Sequence, residues 1–221
     1  DEDQHQQRER PTVGDRLMTF FTEPLQFEFF RHALIVATLI GALCGLMGVY
    51  IVLRRMSYIG HGLSHSILGG AVVSYLAGWN FYLGAGAWGF VSALLIDATA
   101  RRRRIGADAA IGIVTTASFA LGVALISMKR RFTRDFEAAL FGNILGVTEE
   151  DILVIAAVSL VVGLAVFFGY RSLLYTTFDP ELAKVHGVPT GWVETGFALA
   201  LAATIVASLN VVGATLIAAA I

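Results

Sequence analysis

Repeated apolar runs of about twenty residues, most of them closed by basic side chains, leave this chain few ways to fold. A run of that length crosses hydrocarbon as a helix, because a helix satisfies its backbone N–H and C=O groups internally. The first runs from about His32 to Leu53 and ends on Arg54 and Arg55. Further runs cover about Tyr58 to Ala77, Tyr82 to Ala100, Asp108 to Met128, Ile152 to Tyr170 and Trp192 to Ser208, and Val211 to Ile221 begins a seventh. The third and fourth close on Arg101–Arg104 and Lys129–Arg131. The chain is 56% apolar and only 15% charged, with a mean hydropathy of +0.70, whereas soluble domains are about 25% charged. The expected fold is all-α, a polytopic helical membrane protein with about six to seven spans in this chain.

Residues 1–17 are polar and charged and read as a disordered tail, with Met18 a candidate natural start. Residues 18–221 read as one transmembrane domain, expected to be incomplete because it stops inside an apolar run. Glu23 to Phe30 is aromatic and amphipathic, as suits a membrane interface. Phe136 to Gly146 is too short to cross and reads as a partial or re-entrant helix. The Gly41-x-x-x-Gly45 spacing allows close helix contact. Gly60, Gly62, Gly69 and Gly70 suggest a distorted helix or tight packing. Trp79, Trp88 and Trp192 read as interface or packing aromatics. Lys and Arg tie between the two sides, but weighting the short loops makes the Arg101–Arg104 side cytoplasmic. Cys44 is the only cysteine, which excludes an intrachain disulfide.

His61 and His65 lie four residues apart in the second run, on one face of a helix, where two imidazoles can share a transition-metal ion. Ionisable groups are costly in hydrocarbon and tend to line pathways. The plainer reading is a pair of histidines hydrogen-bonded across helix contacts. An intramembrane zinc protease would need H-E-x-x-H, and Gly62 stands where the general base belongs. Between two spans, Asp179 can cap a short helix begun by Pro180, Glu181 complements its N-terminus, and Gly187 suits its stop. That helix either docks a cytoplasmic partner or simply connects two spans. Asp97 reads as an ion-pair partner of Arg101, and Glu194 and Asn210 either face a cavity or lie near span ends. No Walker A pattern is present, and no basic, aromatic-interleaved surface suggests nucleic acid.

Several stretches, in order, resemble the permease subunits of bacterial manganese/zinc/iron ABC importers, the ABC-3 family. They are Leu53-Arg54-Arg55-Met56-Ser57-Tyr58-Ile59-Gly60, Leu63-Ser64-His65, Asp108 to Val114, Leu140 to Gly146 and Phe178-Asp179-Pro180-Glu181-Leu182-Ala183. The resemblance implies a type II-like importer core in a bacterial plasma (inner) membrane, with no permanently bound cofactor and manganese, zinc or iron as cargo. It also implies a cytoplasmic ATPase subunit, an extracytoplasmic metal-binding protein and a second permease chain, identical or related, as partners within membrane lipid. His65 matches the family's ligand histidine, and His61 stands where the family usually has aspartate. Imidazole suits zinc, iron, nickel or copper better than manganese. Phe178 to Val188, with Gly187 near its end, matches the segment received by the ATPase. Family members continue past Ile221, so a chain ending there is expected to leave a packing face open. That end motivates a second reading, a non-transporting membrane scaffold or regulatory fragment of such a complex.

Overall fold

The computed structural model describes residues 22–56, 58–79, 81–100, 106–128 and 142–220. The N-terminal tail, Arg101–Arg104, Lys129–Arg131 and the Phe136–Phe141 part of the short apolar segment lie outside the described residues. Seven α-helices follow in order among them. They are α1 (Glu28–Leu53), α2 (Ile59–Ala77), α3 (Phe81–Ala100), α4 (Ala107–Met128), α5 (Glu149–Phe178), the short α6 (Pro180–Val185) and α7 (Thr190–Ala220). Single 3₁₀ turns cover Pro24–Gln26 and Ile144–Gly146. The long helices alternate in direction. Arg54, α6 and the start of α7 therefore share one end of the bundle, and Glu28, Gly78 and Thr148 share the other.

Five of these helices are long and apolar enough to cross a membrane. The second run is not among them, because α2 carries two histidines, three serines and four glycines. Even so, α2 is packed against three other helices, α3, α4 and α7. Its glycines are the reason. A side chain at Gly69 would strike the backbone carbonyl of Ser118 in α4, and one at Gly70 would strike Trp88 in α3. Ser66 donates to Ser92 across the α2–α3 contact at 2.6 Å, so both buried hydroxyls are satisfied. The glycines produce tight packing of a continuous helix rather than distortion. Leu63 and Ile67 of α2 join Met47, Ile51, Ile96, Ile111, Leu201 and Ile205 in the core.

Three sequence expectations are corrected. Gly41 and Gly45 face outward from α1, and a Cβ at either would meet nothing within 4 Å. The spacing therefore makes no helix contact inside the protomer. The fifth run continues as α5 through Thr176 and Thr177 to Phe178 instead of stopping near Tyr170. Both threonine hydroxyls bond back to carbonyls one turn earlier, at 2.9 Å to Ser172 and 2.6 Å to Leu173, which keeps polar residues helical. The sixth and seventh runs do not part near Asn210: α7 is helical from Thr190 until Gly213, where φ 77° and ψ 160° interrupt it. Only glycine adopts that backbone readily. Gly142 is seated against the break, and a Cβ there would lie 2.5–2.7 Å from backbone atoms of Val211, Val212 and Gly213.

Gly69→Ala should lower protomer stability by about 1–3 kcal/mol, the usual cost of overpacking, because the opposing atom is backbone and cannot rotate away. Gly45→Ala should be close to neutral. Thermal unfolding of the purified protein in one detergent, run on both variants, checks the difference.

Candidate functional site

The first two turns of α2 present the His61 and His65 rings 4.5 Å apart and inclined by 65°. His65 also packs nearly perpendicular to Phe119 in α4, with centroids 5.5 Å apart. Ser64 donates to the His61 carbonyl at 2.9 Å. His61 is exposed and His65 half-buried, while Gly62, Leu63 and Ser64 between them are buried. The pair therefore looks out of the protomer from a helix whose other face is packed. Among the described residues, no third His, Cys, Asp or Glu gathers around it. The adjoining outer face of α4 is largely apolar, with Ile113, Phe119 and Val123 exposed, and Thr116 exposed among them. That combination leaves an incomplete polar site on a largely apolar face.

At the Arg54 end, the expected short helix is present as α6. Asp179 accepts from the backbone N–H groups of Glu181 and Leu182 at 3.1 and 2.9 Å, and Pro180 occupies the first turn. Gly187, at φ 75°, ends the helix. Its N–H donates to Lys184 O at 3.0 Å, and that of Val188 donates to Ala183 O at 2.9 Å. Ala183 is fully buried, whereas Phe178, Leu182 and Val185 are exposed. An apolar edge on a capped helix at the end of the bundle is a ready contact surface.

Arg54, which the sequence marked as the end of the first run and as part of a family-like stretch, makes the longest-range polar contacts in this region. Its Nε donates to Thr177 Oγ1 and an Nη to Thr176 Oγ1, both at 3.1 Å. The guanidinium lies 4.4 Å from the centre of the Phe197 ring of α7. Burial lowers its pKa from the ordinary arginine value, opposed by Glu194, Tyr50 and Asp97, and it stays a cation. A cavity of about 310 Å³ adjoins it, lined among others by Asp97, Glu194, Ile59 and Leu63. Asp97 accepts from Thr195 of α7 at 3.0 Å, and Arg101, its expected partner, lies outside the described residues. Glu194 lines the cavity, and the Asn210 side chain is likewise outside the described set. No local pattern reveals the Arg54 contacts, since the partners are more than 120 residues apart.

At the opposite end, Glu28, His32 and Glu149 bring potential ligand atoms within 4.8 Å of one another. Both glutamates are exposed and lie in the first turns of α1 and α5, where negative charge is favoured without any ion.

The ABC 3 transport family model matches residues 26–221. This chain belongs to that family. The resemblance to that family is thereby borne out, and the relatives named below are transport proteins rather than proteases. The chain is 38% identical to the manganese transport system membrane protein MntC of Halalkalibacterium halodurans, over 92% of this chain and 70% of that protein. It is 34% identical to a protein of Haemophilus influenzae named a probable iron transport system membrane protein, over 92% of this chain and 74% of that one. The solved structure of PsaBC from Streptococcus pneumoniae in complex with Fab superposes with a TM-score of 0.76 at 34% identity. That match covers 92% of this chain and 73% of the PsaBC chain. As an ABC 3 family member the chain is a multi-pass membrane subunit of a transporter, with the all-α architecture expected from its apolar runs.

Asp179→Ala should destabilise α6 by about 1 kcal/mol through loss of its N-cap. Hydrogen exchange should accelerate at Glu181 and Leu182, while amides in the middle of α5 keep their protection.

Proposed function

We propose that this chain is the membrane-spanning subunit of an ATP-driven importer of divalent transition-metal ions, with His61 and His65 on the ion path. The observation that carries the reading is the edge-to-face histidine pair on the outward face of α2. Two neutral imidazole nitrogens hold a first-row ion weakly, which suits a site that must also release. A second copy packed on the same α2–α4 face supplies another pair and shields all of them from lipid. The ion would then pass between two permease chains rather than through one. Manganese and iron are favoured as cargo by the names of the relatives, and zinc by the affinity of imidazole.

Energy would come from a separate cytoplasmic ATPase seated on α6, whose exposed Phe178, Leu182 and Val185 offer it an apolar edge beside Asp179, Pro180, Glu181 and the buried Ala183. An extracytoplasmic binding protein would deliver the ion at the Glu28 end. ATP-driven closure would move the ends of α5 and α7 and expose the histidines alternately to the two sides of a bacterial inner membrane.

The test expresses the full-length gene with its ATPase and binding protein and measures cellular manganese, iron and zinc by mass spectrometry. Loss of outer-shell groups already costs about 10–100-fold in metal affinity, so His65→Ala should cut accumulation of the cargo metal at least about tenfold. His61→Asp should keep uptake and move the balance toward manganese, since a carboxylate is the harder ligand. Unchanged accumulation in a His61→Ala/His65→Ala variant that still inserts and assembles would remove the pair from the path. If the wild-type complex accumulates no metal, the importer reading is wrong.

A further inference from the structure

We infer that Arg54 is a positioning residue that ties the α5–α6 corner to the histidine-bearing start of α2, so that movement of α6 reaches His61 and His65 through it. This rests on the proposed importer role for its functional meaning, although the mechanical link stands on contacts alone. Two short connections matter. Thr176 and Thr177 lie in the last turn of α5, and only Asp179 separates that helix from α6. Arg54 caps the C-terminus of α1, and a tight turn leads from it to α2.

The turn transmits displacement because it is closed by its own hydrogen bonds. Arg55 N–H donates to Val52 O and Met56 N–H to Ile51 O, both at 3.0 Å, with Arg55 at φ 57°. Ile59 N–H then donates back to Met56 O at 3.0 Å, which joins the turn to the first residue of α2. Arg55 and Met56 are thus tied back to α1, and the first residue of α2 is tied back to Met56.

The guanidinium is also held on several sides. Its fork spans both threonine hydroxyls, and each hydroxyl spends its own proton on a carbonyl of α5, leaving an oxygen lone pair for Arg54. Phe197 lies against its face from α7. A displacement of the α5 end must therefore drag the fork or break charge-assisted bonds. The cavity beside it gives the start of α2 somewhere to go, because Ile59 and Leu63 line that space on the inner side of α2. A purely structural staple would need neither the short turn nor the void.

Two measurements on Thr176→Val/Thr177→Val and its Thr176→Ser/Thr177→Ser counterpart test the link. Valine keeps the shape and removes the acceptor; serine keeps the acceptor. The first measurement is hydrogen exchange of the full-length protein in nanodiscs, read at residues 59–65. The valine pair should exchange there about tenfold faster, the scale of a lost hydrogen bond to a charged group, and the serine pair should match wild type. The second is metal moved per ATP hydrolysed by the assembled complex in proteoliposomes. It should fall severalfold with the valine pair while hydrolysis continues, and return with the serine pair. Wild-type exchange at residues 59–65 in the valine pair would overturn the link, whatever transport does. Altered exchange with an unchanged metal-to-ATP ratio would overturn its role in coupling. A wild-type complex that moves no metal, with the exchange difference intact, would refute the importer reading and leave the mechanical link standing.

Discussion

The close approach of α2 to α3 and α4 is the contact on which the rest of the structure depends. Helices in a bilayer gain little from hiding apolar surface from one another, since lipid tails are equally apolar, and they associate through close packing and buried hydrogen bonds. Gly69 against the Ser118 carbonyl, Gly70 against Trp88, and the Ser66–Ser92 hydroxyl pair supply both. Helix α2 thereby exchanges lipid for protein along much of its length. That exchange lets the least apolar long helix sit among five that would each be at home in hydrocarbon.

The two faces of α2 serve different ends. Leu63 and Ile67 belong to the core and touch the same interior that Arg54 helps to close. His61 and His65 belong to a surface that the protomer leaves uncovered. Because an α-helix is stiff over a few turns, a shift imposed on the inner face must appear on the outer one. On that reading no long relay of side chains is needed, because only a short turn lies between Arg54 at the end of α1 and the helix that carries both histidines.

Much of this was legible in the residues. Apolar length located the first four long helices to within a few residues, and Asp179, Pro180 and Gly187 marked both ends of α6 because capping chemistry is local. The failures have a common cause. Thr176 and Thr177 lie in a polar stretch beyond the expected end of the fifth run, yet their hydroxyls bond to their own helix and accept from an arginine far away in sequence. The Gly41 and Gly45 spacing allows a close helix contact, but spacing does not say which face meets a neighbour. Gly213 ends the regular part of α7 only where Gly142 presses on it, and nothing near either glycine in sequence announces the other. Local chemistry could be read; partners across the bundle could not.

The length of α5 has a consequence for where chemistry at the Arg54 end takes place. Its 30 residues span about 45 Å at about 1.5 Å per residue, against a hydrocarbon thickness of about 30 Å. Tyr170 and Arg171, exposed side by side, are the kind of residues that settle at the headgroup level. From there to Phe178 the helix continues for about another 10 Å. The spacing between Arg171 and α6 is thus set by the covalent chain, a length that bilayer composition cannot shorten.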